Sequence, residues 1–181
     1  MKPIRVFAIG CLFTVAAVAA NAQDAPRVGL TTGYPGSIGI LWHTSERTAV
    51  RPEFSFTTNS SSSQSLVDAT SNFSSVSGGI SVLLFSPVRD NLKLYVAPRF
   101  AYTVTTGNSD LTESTTDSYS IGGVFGGHYA LGRRFAVFGE AGLQYNHQTS
   151  SVTTSIGAGI RTTGRGDSVG TRTGVGVVIY F

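Results

Sequence analysis

Arg172-Thr173-Gly174-Val175-Gly176-Val177-Val178-Ile179-Tyr180-Phe181 is the stretch on which the fold turns. Side chains of a β-strand alternate between two faces. Val175, Val177, Ile179 and Phe181 therefore share one face, and Gly174, Gly176, Val178 and Tyr180 share the other. The first face is wholly apolar. The second is mostly small, with a polar tip at Tyr180.

The same period of two runs back through most of the chain. Residues 27–33 place Val28 and Leu30 on one face, and Tyr34-Pro35-Gly36 reads as a turn. Residues 37–44 align Ile38, Ile40 and Trp42, and 45–47 turn again. Residues 48–58 set Val50, Pro52, Phe54 and Phe56 against Ala49, Arg51, Glu53 and Ser55. Residues 73–86 align Val76, Ile80, Val82 and Leu84. After a turn at 87–91, residues 92–106 set Leu92, Leu94, Val96, Phe100, Tyr102 and Val104 against Lys93, Tyr95, Ala97, Arg99 and Ala101. Pro98 lies in this run and has no N–H for a ladder, which predicts a bulge or break there. Residues 118–130 set Tyr119, Ile121, Phe125 and Tyr129 against Ser120, Gly122, Gly126 and His128. After the basic turn 131–134, residues 135–147 set Phe135, Val137, Leu143 and Tyr145 against Glu140, Gln144 and Asn146.

With the closing strand this makes eight strands. Short connections (45–47, 87–91, 131–134) alternate with long polar ones (59–72, 107–117, 148–171). The alternation at Ile156, Ala158 and Ile160 is read as the last loop extending its flanking strands, not as a ninth strand.

The N-terminus marks export. Lys2 and Arg5 precede an apolar run over 6–20, and Ala20-Asn21-Ala22 forms a small-x-small end. That is the build of a secretory signal peptide, cleaved after Ala22, and the run is short for a membrane helix. Residues 1–22 are set aside, and 23–181 form one domain. Ala8-Ile9-Gly10-Cys11 resembles a lipoprotein cleavage box. The apolar run continues past Cys11, so the secretory reading is preferred.

Composition narrows the chemistry. The single Cys is Cys11, so the exported part has no disulfide, thiol nucleophile or cysteine metal site. Loss of Lys2 and Arg5 lowers Lys+Arg from 13 to 11 against 10 Asp+Glu, so the net charge gives no reason to expect nucleic-acid binding. His128 and His147 have no partners at metal-ligand spacing, and no glycine-rich turn precedes a helix to cradle phosphate. No cofactor or metal is expected. An exported chain without a hydrophobic helix can still span a membrane as a closed barrel, in which every backbone group pairs with a neighbouring strand.

The chain resembles the small eight-stranded outer-membrane proteins of the OmpA and OmpX type over nearly all of 27–181. The resemblance rests on Val50-Arg51-Pro52-Glu53-Phe54-Ser55-Phe56, Ala97-Pro98-Arg99-Phe100-Ala101-Tyr102 and the segment Tyr129 to Gly142. It also rests on the terminal strand, whose Phe181, Ile179 and Gly176 match that family's closing strand. It implies an all-β antiparallel transmembrane barrel in the outer membrane of a two-membrane bacterium, with short periplasmic turns and long outer loops. Gly176, Ile179, Tyr180 and Phe181 would then be the signal read by the barrel-assembly machinery. Aromatics near strand ends (Trp42, Tyr102, Tyr129, Phe135, Tyr145 and Phe181) would lie at the lipid interfaces. Arg51, Glu53, Lys93, Arg99 and Glu140 would face the interior and pair as an ion network, because eight strands leave room only for side chains.

The expected function is a monomeric, non-catalytic barrel contacting outer-membrane lipid, with a structural, adhesion or surface-recognition role and an extracellular surface ligand as its candidate partner. Two alternatives stand beside it. One is a small passive channel. The other is a lipid hydrolase, since His43-Thr44-Ser45 resembles the His-x-Ser of the lipid A deacylases. That family continues with Asn, where Glu46 stands here, and the turn position puts Ser45 on the periplasmic side. Arg165-Gly166-Asp167 in the last loop resembles an integrin-binding tripeptide and also suits a turn.

Overall fold

The computed structural model describes residues 28–63, 69–109, 112–154 and 160–181. The expected signal segment, with Ala20 and Ala22, lies outside them. The strands are β1 (Val28–Tyr34), β2 (Ser37–His43), β3 (Thr48–Ser63), β4 (Ala69–Arg89), β5 (Leu92–Ser109), β6 (Thr112–Ala130), β7 (Phe135–Thr154) and β8 (Ile160–Tyr180). Each pairs antiparallel with the next, and β8 closes on β1 from Gly29↔Tyr180 to Tyr34↔Val175. The result is an eight-stranded all-β closed barrel.

The apolar stripe of every strand faces outward. Leu30, Ile40, Phe54, Ile80, Val96, Phe100, Ile121, Phe125, Leu143 and Ile179 are all exposed and together form a belt around the barrel. An apolar belt of this extent on a closed barrel suits contact with lipid, and each strand is long enough to cross or nearly cross a bilayer. At the short-turn end the belt finishes in Trp42, Tyr129, Phe135 and Phe181. At the long-hairpin end it finishes in Tyr34, Tyr102, Tyr119 and Tyr145.

The described parts of the long polar connections are strands, which corrects the loop assignment at 59–72 and 107–117 and agrees with the expected extension of the strands flanking the last connection, where Ile156 and Ala158 lie outside the described residues. The β3–β4 ladder continues to Ser63↔Ala69, β5–β6 to Asn108↔Glu113, and β7–β8 to Thr154↔Ile160. Above the belt both faces meet water. The polarity alternation that betrays a half-buried strand therefore vanishes, while Thr keeps its preference for extended backbone.

The β1–β2 hairpin stays short. Gly36 closes its turn at φ +74°, a left-handed conformation suited to glycine, and its amide donates to Gly33 O at 2.8 Å. Beyond this turn β8 continues from Val175 back to Ile160, and β3 continues from Phe54 to Ser63, with no β1 or β2 residue beside them. The barrel wall is thus notched at β1–β2.

Of the bulge or break expected at Pro98, the structure shows a local break on one side of the strand. β5 runs without a bulge through Pro98, which pairs with Gly123 of β6. On the β4 side the ladder skips from Ser81↔Arg99 to Leu84↔Val96 and resumes in the same register. Pro52 produces the same gap between Ile38↔Phe54, Gly39↔Glu53 and Trp42↔Val50. A missing N–H removes a bond without inserting a residue, so the register survives. The one shift in the β4–β5 ladder lies at Pro87/Arg89, beside the tight Asp90-Asn91 turn.

Candidate functional site

The lumen is filled in layers. Nearest the short-turn end lies an apolar plug of Leu41, Leu83, Phe85, Val124 and Val178, with Ala49, Ala97 and Ala136 filling the gaps. Phe85 is its hub. It stacks on His43 at 5.5 Å and meets Tyr95 and His128 edge-on at 5.4 and 5.9 Å.

The polar parts of this layer are satisfied by Tyr180. Its hydroxyl lies 3.1 Å from His43 Nε2 and 2.9 Å from His128 Nε2. A hydroxyl has one proton, so it donates to one imidazole and accepts from the other, and the two rings hold opposite roles. His43 is therefore occupied inside the lumen. Ser45 sits in the exposed turn, where its Oγ accepts the Arg47 amide at 3.2 Å, and no His43–Ser45 hydrogen bond forms.

Above the plug lies the ion network. Arg51 is only 1% exposed; its Nη2 donates to Glu140 Oε2 at 2.8 Å and its Nε lies 3.4 Å from Glu53 Oε1. Arg99 pairs with the other oxygen of Glu53. Tyr95 donates to Glu140 Oε2 at 3.0 Å, and the Arg51 guanidinium lies 5.1 Å over the Phe138 ring. Glycine makes the tyrosine's position possible. Tyr95 pairs with Gly126, which pairs in turn with Glu140, and a Cβ on Gly126 would collide with the Tyr95 ring. The bare backbone lets the ring lie across β6 and reach the carboxylate on β7.

Membership differs from expectation at two positions. Lys93 makes no ion pair among the described residues. It pairs with His128 in the ladder at the short-turn end, well down β5 from Arg99. Arg172, which the sequence sets at the edge of the outer loop, instead faces the lumen with Nε 3.9 Å from Glu140 Oε1. The strand period already puts Arg172 on the face of Gly174 and Val178, and its place beside a polar loop concealed this.

The plug was also missed, although a signal for it exists. Ile40-Leu41-Trp42, Leu83-Leu84-Phe85 and Val177-Val178-Ile179 are uninterrupted apolar runs, each near the short-turn end. A run apolar on both faces marks a strand buried on both faces.

Above the ion network is a polar cup of about 190 Å³. Arg99 and Arg172 lie at its base, and Ser55, Ser77, Ser120 and Asn146 are in its wall. Pro35 and Ser37 border it at the notch.

Two Tyr–Asp pairs stand on the outer surface just beyond the belt. Tyr102 donates to Asp117 at 2.8 Å, and Tyr145 donates to Asp167 at 2.5 Å. His147 Nδ1 lies 2.7 Å from the same Asp167 oxygen, and its ring packs on Tyr119. Hydrogen bonds from Tyr145, then from His147, hold the Asp167 carboxyl below its ordinary value. Arg165-Gly166-Asp167 is thus extended strand, paired with Thr149, Gln148 and His147, and is not a turn.

No protein-family model and no curated protein matches the chain. Solved structures do. A major outer membrane protein from Thermus thermophilus aligns over 85% of this chain and 97% of its own, with 11% identity and a TM-score of 0.58. Neisserial surface protein A aligns over 85% and 92%, with 17% identity and a TM-score of 0.51. The chain has the fold of the small eight-stranded outer-membrane β-barrels, and the belt and the closed ring of strands place it in an outer membrane.

Proposed function

We propose that the chain is a monomeric, non-catalytic barrel that seals its own lumen and displays three polar β-hairpins outside the cell, in a structural, adhesive or recognition role. The carrying observation is that the β3–β4, β5–β6 and β7–β8 ladders run on beyond the apolar belt as paired strands. Paired strands hold a surface in one shape, as a recognition platform requires. The plug and the ion network argue against a passive channel, because permeation would require breaking buried charge pairs. In this reading the belt contacts outer-membrane lipid. Gly176, Ile179, Tyr180 and Phe181 are the signal for the assembly machinery, and a partner outside would be met by the hairpins.

Trypsin treatment of intact cells, with cleavage sites mapped, tests this reading. Arg161 and Arg165 are exposed on the β7–β8 hairpin and should be cut. Arg172, inside the barrel, and Arg47, Arg133 and Arg134, at the short turns, should be protected. Cutting at Arg47 and Arg133 on unbroken cells would invert the orientation and overturn the display role.

A further inference from the structure

We propose that the polar cup above the ion network binds a small hydroxylated monocarboxylate of the sugar-acid class. The inference starts from charge. The network holds three guanidiniums, Arg51, Arg99 and Arg172, against two carboxylates, Glu53 and Glu140. One positive charge is left over inside a protein wall, where water screens it poorly and the field is focused toward the opening.

The surplus falls on Arg172. Glu140 already accepts from Arg51 and Tyr95 at 2.8 and 3.0 Å, whereas Arg172 Nε reaches it only at 3.9 Å. That Nε is buried and has no hydrogen-bond partner among the described residues, and the side chain is 18% exposed. Glu140 therefore leaves the Arg172 guanidinium under-partnered, and an acceptor arriving in the cup adds hydrogen bonds that the protein does not supply.

The lining selects the kind of acceptor. Arg99 and Arg172 face the cup together, and a guanidinium fork matches the two oxygens of a carboxylate. Among the described residues no carboxylate lines the cup to repel an anion. One surplus charge balances a monoanion, whereas a phosphate dianion would leave an unbalanced negative charge. The walls carry hydroxyls (Ser37, Ser55, Ser77 and Ser120) and the Gln144 and Asn146 amides, which suit a ligand with several hydroxyls. No aromatic ring among the described residues lines the cup, so nothing there would stack on a planar base. A volume of about 190 Å³ lies below the roughly 300 Å³ at which drug-sized pockets begin, so the occupant is small. The low wall at the β1–β2 turn leaves Pro35 and Ser37 at the rim, which provides an entrance.

The experiment is titration of the refolded full-length barrel in uncharged, sugar-free polyoxyethylene micelles, followed by calorimetry and by the arginine Nε–H resonances. The probes are glucuronate, glucose, acetate and inorganic phosphate. Glucuronate should bind and move the Arg172 resonance, glucose should do neither, and acetate and phosphate should bind more weakly. Arg172→Gln should weaken glucuronate about 10-fold or more, the range of a lost charged hydrogen bond. Ser120→Leu, which fills the cup from its wall and removes no charged group, should abolish binding and guards against a folding defect in the first variant. Heat-modifiable gel migration establishes that each variant is folded. Glucuronate binding no better than glucose, acetate or phosphate would overturn the proposal, as would binding that survives Ser120→Leu in a folded barrel.

Discussion

The Tyr95 hydroxyl and the Arg51 guanidinium converge on one oxygen, Glu140 Oε2, at 3.0 and 2.8 Å. Three strands far apart in sequence meet there, so the lumen is locked by a bond pattern that depends on ring closure. Tyr95→Phe removes one hydrogen bond to a buried carboxylate and leaves the ring in place. It should cost about 1.5–3 kcal/mol, measured by urea unfolding in micelles or vesicles.

Glu140→Gln is the sharper lesion. It keeps the shape but strips Arg51 of its closest carboxylate, and Arg51 has almost no access to water. Breaking a buried pair from one side costs about 3–5 kcal/mol. The loss should exceed that of Tyr95→Phe in the same unfolding assay, and equal losses would mean that water reaches Arg51.

The belt predicts an opposite sensitivity. Phe125 points outward within it, where no protein group could neutralise a charge. Phe125→Arg should destabilise the barrel by about 2–4 kcal/mol in vesicles. Thr163→Arg, on the β8 extension, should fall within about 0.5 kcal/mol of the parent.

Phe181 separates assembly from stability. The residue is 78% exposed, and its backbone amide donates to Val28 O at 3.1 Å. Phe181→Ala should refold in vitro like the parent yet reach the outer membrane of cells in much smaller amount, as quantified by membrane fractionation. Equal amounts would show that the terminal aromatic is not the assembly signal.

Acid should loosen the top of the β7–β8 hairpin. The Asp167 carboxyl is held below its ordinary value by Tyr145 and His147, so the folded state favours its ionised form. Such a group contributes stability that is complete above the unfolded value of 3.8 and is lost as pH falls below it toward the folded one. The pair is exposed, so the effect is local and weakened by salt. Protection of the amides at 145–149, taken relative to their intrinsic exchange rate at each pH, should fall below pH 4, and Asp167→Asn should show the reduced protection at neutral pH.

The eight strands and the sharing of one face by Arg51, Glu53, Arg99 and Glu140 were legible because a period of two survives wherever one face meets lipid and the other a polar lumen; that this face points inward followed from the export signal and Phe181. The extensions of the β3–β4 and β5–β6 hairpins were not legible, because both of their faces are polar and the period carries no contrast; only the β7–β8 extension was expected, from the alternation at Ile156, Ala158 and Ile160. The apolar plug lay in the sequence in a different form: Leu41, Leu83 and Phe85 stand beside outward apolar neighbours, so alternation is lost there and the signal is an apolar run, not a period.

Sequence by itself therefore determined the strand count and which side chains share a face, because these depend only on local chemistry and alternation, while the inward direction of that face came from the export signal and the terminal Phe181. Tertiary structure alone decided which inward groups meet. Ring closure and strand register brought Arg172 to Glu140, left Lys93 outside the network and seated Tyr180 between His43 and His128. Those pairings depend on the heights of residues on strands far apart in the chain, and no periodicity within a single strand encodes that quantity.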